Sequence, residues 1–381
     1  MNELESINEL EESVANFLNS LRRSNTAGRY FPCLEGRTPY GEDIELGPSC
    51  FALKIFHTFG WWQELSEKER QEWIAHINSF MMPSKSVVPW MGFVVTDKAL
   101  VDFLSRPSFR RTFSRIQSAS VRELVRKGIR KEDDKSEQKA IVAETKQSLA
   151  TLADVGVSLE SQFSNFALAP ENLSQKLYRY DWSLPWGAGG QAAALAVFVS
   201  LAAKEEPEGS HWEPSREVMR QCFRQIVDTQ TGAYFTGSMP NKSMLVNGAM
   251  KVLTALDWLE EPIHYPDRLI DTVLQHKPRR EGCDIVDAIY VLYRCSQRKD
   301  YRYQEICDYF VECLELIFQH RQPDGGFSYS LDRAQKWYYG MPISKGLKEG
   351  DIHGTTLLVW AVSMIVQYLR PDEFHWNILK P

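Results

Sequence analysis

The stretch Glu281-Gly-Cys-Asp-Ile-Val-Asp-Ala-Ile-Tyr-Val-Leu-Tyr293 sets two carboxylates, Asp284 and Asp287, directly in front of an apolar run. The unpaired amides of a helix start favour negative charge, so the pattern predicts a helix with an acidic first turn. Its body is apolar nearly all round, which is the mark of a helix buried inside a protein.

Five further segments share that character, each a polar or small residue followed by a compact apolar run with few charges. They are residues 47–60, 143–156, 189–202, 246–259 and 352–365. Between these six lie more charged segments with a single apolar stripe. Ser66-Glu-Lys-Glu69 is a capping box that opens one of them, Pro214 and Pro266 stand at the starts of two more, and Ile306, Phe310, Leu314 and Ile317 mark another. At the N-terminus, Leu4, Ile7, Leu10, Val14, Phe17, Leu18 and Leu21 form a helical stripe on an otherwise acidic segment.

The turns repeat as well. One outer helix runs into Asp228-Thr-Gln-Thr-Gly-Ala-Tyr-Phe235 and a later one into Arg321-Gln-Pro-Asp-Gly-Gly-Phe-Ser328. Tyr234 and Phe327 are 93 positions apart (327 − 234), or two units of about 46, the period of a helical-hairpin array. Glycine in such a turn supplies positive φ, and the aromatic that follows packs beneath the hairpin. Six alternations with no polar-capped terminal unit predict an all-α, closed (α/α)6 toroid rather than an open solenoid. Residues 1–46 form an N-terminal amphipathic helix and loop, and 47–381 a single toroid interrupted by an insertion at about 83–139. Phe93, Leu100, Phe103 and Leu104 of that insertion are expected to cover one mouth of the barrel.

Composition narrows the function classes. The chain has 381 residues, 43% hydrophobic and 25% charged, which is a globular balance with material for a large core. A net charge of -6 argues against nucleic acid as a partner, because phosphate neutralisation needs a surplus of Lys and Arg. The basic segment from Arg106 to Lys131 is followed at once by Glu132-Asp133-Asp134 and reads as a solvated helical stretch. Seven cysteines without a CxxC pair point to a reducing compartment, and the acidic segment 1–19 lacks the basic start of a signal peptide, so a cytoplasmic location is expected. The longest apolar run, Ala192 to Ala203, is 12 residues, so no transmembrane segment is expected. Oligomeric state stays open.

The glycine-aromatic turn Arg321–Phe327 resembles the repeat of the prenyltransferase and squalene-cyclase (terpenoid cyclase) superfamily, and the inner helices look like that superfamily's inner helices over roughly residues 47–368. The resemblance implies the toroid fold and an apolar or diphosphate-bearing isoprenoid substrate in a central cavity. Asp284-Ile-Val-Asp287 is similar to the Asp-x-Asp-Asp motif of class II cyclases, with Val286 where that family places its acid. Val286-Asp-Ala-Ile-Tyr290 and Gly350-Asp-Ile-His353 are similar to the zinc-holding segments of protein prenyltransferases, with Ile289 in place of the thiolate. Tight zinc is therefore not expected and no cofactor is inferred, while magnesium stays undecided. Asp133-Asp134-Lys-Ser-Glu137 superficially resembles a class I terpene synthase metal motif but reads as a solvated loop.

Proton transfer is thus the expected chemistry, with Asp287 and His353 as its carriers at corresponding starts of neighbouring inner helices, and Asp284 and Asp181 in support. Glu144, Gln191 and Asn247 are expected at equivalent starts around an anion-friendly rim, with Lys251 one turn inside. Tyr178, Trp182 and Trp186, in the dense aromatic and glycine cluster before the third inner helix, are expected to shape the pocket. Two further classes fit the same toroid: a carbohydrate-active enzyme (glycoside hydrolase, lyase or epimerase) with aromatic subsites, and a non-catalytic binding protein.

Overall fold

The computed structural model describes residues 7–84, 87–106, 136–157, 163, 166–205, 212–297 and 300–381. In chain order its helices are α1 (Leu10–Leu21), α2 (Pro39–Asp43), α3 (Leu46–Phe59), α4 (Trp61–Glu64), α5 (Glu67–Asn78), α6 (Lys98–Leu104), α7 (Ser136–Asp154), α8 (Pro170–Arg179), α9 (Pro185–Glu205) and α10 (Glu213–Ile226). They continue as α11 (Lys242–Trp258), α12 (Pro266–Leu274), α13 (Gly282–Cys295), α14 (Tyr303–Phe318) and α15 (Ile352–Leu369). Two short antiparallel hairpins complete the set, β1 (Met81–Pro83) with β2 (Phe93–Val95), and β3 (Trp337–Tyr338) with β4 (Met341–Pro342).

The six apolar helices pack in a circle. α3 lies against α7, α7 against α9, α9 against α11, α11 against α13, α13 against α15, and α15 returns to α3. The fold is a closed (α/α)6 toroid, as the alternation of apolar and charged helices predicts. Each inner helix buries most of its circumference; in α13 only Cys283, Tyr293 and Arg294 keep appreciable exposure. The outer helices α8, α10, α12 and α14 bury one stripe each, among them Met219, Cys222, Phe223 and Ile226 of α10. Two inner helices, Pro185–Glu205 and Ile352–Leu369, are long and apolar enough to cross a membrane, and most of each is buried within the ring.

Local chemistry sets the ends. Ser66 and Glu69 form the reciprocal capping box of α5. Gly232 and Gly325 carry positive φ, +71° and +92°, and the aromatics behind them, Tyr234 and Phe327, are fully buried. Gly326 has a different reason to be glycine. The ring of Phe17 on α1 lies so close that a Cβ there would meet it at 2.7 Å, and Ser13 Oγ on the same helix donates to the Gly325 carbonyl at 3.0 Å. The N-terminal amphipathic helix is therefore seated on the glycine turn.

Both mouths of the ring are built over. At the end where the inner helices start, the β3–β4 hairpin reaches across, and the Tyr338 hydroxyl donates to Glu144 Oε1 on α7 at 2.8 Å. Thr96 Oγ1 and the Asp97 amide, just after β2, donate to the other oxygen of Glu144 at 2.6 and 3.0 Å, so the described part of the insertion packs on α7. Phe93, Leu100 and Leu104 are buried there and Phe103 packs partly buried against the same core. Most of the basic segment and Asp133-Asp134 lie outside the described residues. At the opposite end the C-terminal tail crosses the ring: the Asn377 amide donates to the Thr58 carbonyl, the Lys380 amide to Asp154 Oδ1, and Trp258 Nε1 to the Pro381 carbonyl.

The glycine turn gives a direct test. Gly325→Ala would force a side chain into positive φ and against the Ser13 carbonyl, 2.6 Å from where its Cβ would stand. Urea unfolding should show a loss of about 1–3 kcal/mol; an unchanged midpoint would remove the turn from the elements that hold α1.

Candidate functional site in the ring lumen

Asp284 and Asp287 are one helical turn apart on α13 and meet opposite environments. Asp284 is fully buried and surrounded by donors. Its Oδ1 accepts from Ser243 Oγ at 2.9 Å, Asn247 Nδ2 at 3.0 Å and Arg279 Nη2 at 3.3 Å, and its Oδ2 accepts from the Arg279 amide at 2.6 Å, with His276 Nε2 at 3.3 Å. Burial opposes its ionisation, but the hydrogen bonds from His276, the Arg279 amide, Asn247 and Ser243 outweigh that and hold the carboxyl well below the usual carboxylate range. It is a permanently charged clamp joining α13, α11 and the loop that precedes α13.

Asp287 is just as buried but nearly bare. Lys251 Nζ on α11 is 3.9 Å from its Oδ1, and its Oδ2 has no hydrogen-bond partner among the described residues. Burial pushes its carboxyl up to about 6, with Lys251 pulling it down and the Asp284 charge adding to the rise. A carboxyl that changes charge near neutrality and has an oxygen free can give or take a proton. Beside it stand Cys283, whose thiol burial and the Asp287 charge push up to about 11, and Tyr329, whose hydroxyl is raised by burial and by Cys283, to which it is hydrogen-bonded.

His353 faces the same lumen from α15. Its ring lies between Phe51 on α3 and Tyr329, with centroids 4.4 Å and 5.4 Å away and planes 29° and 14° from parallel. Burial and the charges of Lys54 and Lys251 lower it to about 3, so it is a neutral imidazole at any ordinary pH. No hydrogen bond or ion pair joins Asp287 to His353; Asp287 Oδ2 and His353 Nδ1 are each without a partner among the described residues. The two stand near Tyr329 without exchanging a proton.

The rim residues take different places from those expected. The inner helices begin earlier than the apolar runs do, at 136, 185 and 242, so Glu144, Gln191 and Asn247 lie inside their helices instead of at the starts. Glu144 is sealed, with Tyr338, Thr96 and the Asp97 amide on its two oxygens, and burial raises it to about 7. Asn247 serves the Asp284 clamp. Gln191 Nε2 donates to the Gly187 carbonyl of its own helix at 3.1 Å. Lys251 does reach the chamber.

The aromatic cluster before α9 is corrected by the structure. Tyr178 is exposed on α8 and its hydroxyl donates to Gln225 on α10 at 2.8 Å, so it belongs to the outer wall. Trp182 is buried, with Nε1 donating to the Leu177 carbonyl at 2.9 Å and its ring edge-on to Phe223. Trp186 is exposed at the start of α9. Asp181 is exposed and accepts from the amide and hydroxyl of Ser183 within its own turn. A dense aromatic run reads alike whether it lines a cavity or pins one outer helix to the next.

Residues the sequence reading passed over fill the chamber instead. Tyr339 is held at φ +46° at the tip of the β3–β4 hairpin, its ring 4.6 Å from Tyr338, and its hydroxyl is raised by burial and by the charges of Glu144 and nearby thiols. A non-glycine residue in that conformation is strained and marks a constrained site. Lys54 on α3, and Lys146 and Asp154 on α7, act on one another's ionisation: burial and neighbouring lysines lower both ammoniums, and burial raises Asp154 to about 7. Tyr339 had a visible signal in Trp337-Tyr-Tyr-Gly340; the lysines had none, since single lysines in apolar runs are common. A zinc site like that of the prenyltransferases does not fit: Ile289 is fully buried in the core, and among the described residues no group of three His, Cys, Asp or Glu is placed to hold a metal.

No family model and no curated protein matches the chain. Solved structures do. A polysaccharide lyase aligns at 12% identity over 98% of this chain and 100% of that one, with a TM-score of 0.48. A GH76 α-mannanase from Bacteroides thetaiotaomicron aligns at 10% identity over 96% of each chain, with a TM-score of 0.42. A family 76 glycoside hydrolase (mannosidase) from the same organism aligns at 9% identity over 94% of this chain and 99% of that one, with a TM-score of 0.39. These structures carry the names of carbohydrate-active enzymes, and the inner helices here bring Lys251 to 3.9 Å from the buried Asp287 where an isoprenoid would need apolar surroundings. The terpenoid-cyclase identification, and with it the apolar or diphosphate-bearing isoprenoid substrate, is overturned.

The two aspartates predict opposite responses. Asp284→Ala leaves the donors of Ser243, Asn247, Arg279 and His276 facing a void and should cost about 3–5 kcal/mol in urea unfolding. Asp287 is raised in the fold, so its ionisation works against folding: the cost is absent below its unfolded value, near 4, and grows as pH rises through about 6. Asp287→Asn should therefore match the wild type at pH 4 and be the more stable protein at pH 7.5, by up to about 3 kcal/mol. Equal stability at both pH values would contradict the burial assigned to it.

Proposed function

We propose that the chain is a carbohydrate-active enzyme that transfers a proton to or from a glycan bound in the toroid lumen. The single observation behind this is Asp287, a buried carboxyl pushed up to about 6 with one oxygen bare, beside Lys251 and near Tyr329, whose ring stacks on His353. Ring faces of this kind suit the apolar faces of sugars, and the ionisable lumen suits their hydroxyl groups.

Elimination or epimerisation suits this arrangement better than two-carboxylate hydrolysis. A glycosidase of that kind needs a second free carboxyl group across the scissile bond. Around Asp287 the charges that act are Lys251 and Asp284, and Asp284 has its oxygens occupied. In an elimination the base takes a proton from a ring carbon, the neighbouring carbon–oxygen bond breaks, and the departing oxygen takes up a proton, leaving a double bond in the sugar. Asp287 is the group assigned to the carbon proton, with Lys251 favouring its ionised form.

The purified protein should be screened against a panel of oligosaccharides, with ultraviolet absorbance of a new conjugated double bond and reducing-end release read in parallel. Turnover is expected to rise with pH through about 6 as Asp287 ionises, and Asp287→Asn should lower kcat about 10²–10⁴-fold while leaving oligosaccharide binding in place. A turnover that Asp287→Asn leaves intact would sink the assignment, and absence of binding to every glycan would sink the substrate class.

A further inference from the structure

Three glycines open α9, and packing demands only one of them. Within Pro185-Trp-Gly-Ala-Gly-Gly-Gln191, a Cβ on Gly189 would lie 2.9 Å from the Lys251 Cβ and 3.3 Å from the Gly248 carbonyl of α11. Close approach of the two helices excludes a side chain there. Around Gly187 and Gly190, by contrast, a Cβ would meet nothing within 4 Å. Glycine disfavours a helix because it loses more backbone freedom on folding than any other residue, so these two weaken α9 with no return in packing.

Trp186 stands beside that open ground. It is 53% exposed, and its indole makes no hydrogen bond and no ring contact among the described residues. Its neighbours in the aromatic cluster are engaged elsewhere, Trp182 on the Leu177 carbonyl and Tyr178 on Gln225. Trp186 and Gly190 are four positions apart (190 − 186) in one helix and so share a face. An indole flanked by bare backbone makes a flat apolar shelf.

The shelf is joined to the carboxyl site through α11. Pro185 packs on that helix, 2.6 Å from where a Cβ of Gly248 would stand, so the first turn of α9 is held firmly. Lys251, whose Cβ abuts Gly189, has a side chain 26% exposed and carries its Nζ to 3.9 Å from Asp287 Oδ1. One turn earlier on α11, Asn247 is buried with Oδ1 unpartnered, and the buried Asp287 has Oδ2 unpartnered as well. Two acceptors without donors, where α9, α11 and α13 adjoin, call for hydroxyl hydrogens. A pyranose ring supplies what both features lack, C–H groups on its face and hydroxyl groups at its edge.

We propose that Trp186, with the open backbone of Gly187 and Gly190, is a sugar-stacking subsite at the mouth of the ring, holding the unit of a glycan next to the one engaged at Asp287. This rests on the carbohydrate reading and adds residues that position the chain. The glycines keep the shelf clear, since a long side chain at 190 would stand where the sugar ring lies. Helix stability is given up there to leave room for a ligand.

The test is calorimetric titration of the full chain with neutral hexasaccharides of glucose, of mannose and of xylose, with melting of every variant alongside. A hexasaccharide that binds is expected to lose about tenfold in affinity with Trp186→Ala and with Gly190→Leu, while Trp186→Tyr keeps it to within about threefold. Tyr178→Ala, on the outer wall, is the matched control and should bind as the wild type does. Gly187→Ala and Gly190→Ala should each raise Tm by about 1–3 °C, as glycines that packing does not require. Hexasaccharide binding that Trp186→Ala and Gly190→Leu both leave unchanged would overturn the subsite and leave the carbohydrate reading standing. Alanine variants that melt below the wild type would show both glycines to be demanded by the fold and overturn their part in the shelf. A wild type that binds none of the hexasaccharides would overturn the carbohydrate reading itself, so the two fail separately.

Discussion

The structure depends on one seam. α15 and α3, at opposite ends of the chain, must lie side by side for the ring to close, and they do so through Thr356 Oγ1 donating to the Phe51 carbonyl at 3.1 Å and His353 stacking on the Phe51 ring. The segments leading into the two helices are sewn together as well. Both carboxylate oxygens of Glu349 take the amides of Leu34, Glu35 and Gly36 at 2.7–3.1 Å, and the Ile352 amide donates to the Pro32 carbonyl. Opening this seam would leave six apolar helices in an arc with their inner faces in water. The lumen, and every shifted group within it, exists because the seam is shut.

Closure also explains why carboxyl groups on similar apolar helices behave so differently. Asp284 points sideways into the contact between α13, α11 and the loop before α13, where donors are plentiful, and stays charged. Asp287, one turn later, points away from those donors, where Lys251 is its one ion-pair partner among the described residues and burial dominates. Glu144 points at the covered mouth and is consumed in holding the roof down. One functional group serves as clamp, as a nearly bare buried carboxyl and as rivet, and the choice is made by direction around a helix axis.

The architecture was legible from local features that carry their own physics. Apolar runs marked all six inner helices; the Ser66–Glu69 box and the glycine-aromatic turns formed as written. The helix starts were not legible, because the first turns of α7, α9 and α11 are polar or glycine-rich and lie ahead of the apolar runs, which is why Glu144, Gln191 and Asn247 moved inward. The family likeness misled on chemistry for a related reason. The glycine-aromatic turn is a packing device, seated on Phe17 and Ser13, and says nothing of what the lumen holds.

What the sequence determined by itself was the periodic part: which helices are buried, where they alternate, and that Asp287 and His353 come from neighbouring inner helices. What only the tertiary structure decided was which side chains meet. Lys251 and Asp287 are 36 positions apart (287 − 251), and Tyr338 and Glu144 are 194 apart (338 − 144), yet the packing of α11 on α13 and the β3–β4 hairpin bring each pair together. Periodicity fixes which helices turn inward; it holds no record of what a side chain faces across the ring, and that opposing surface sets its charge and its use.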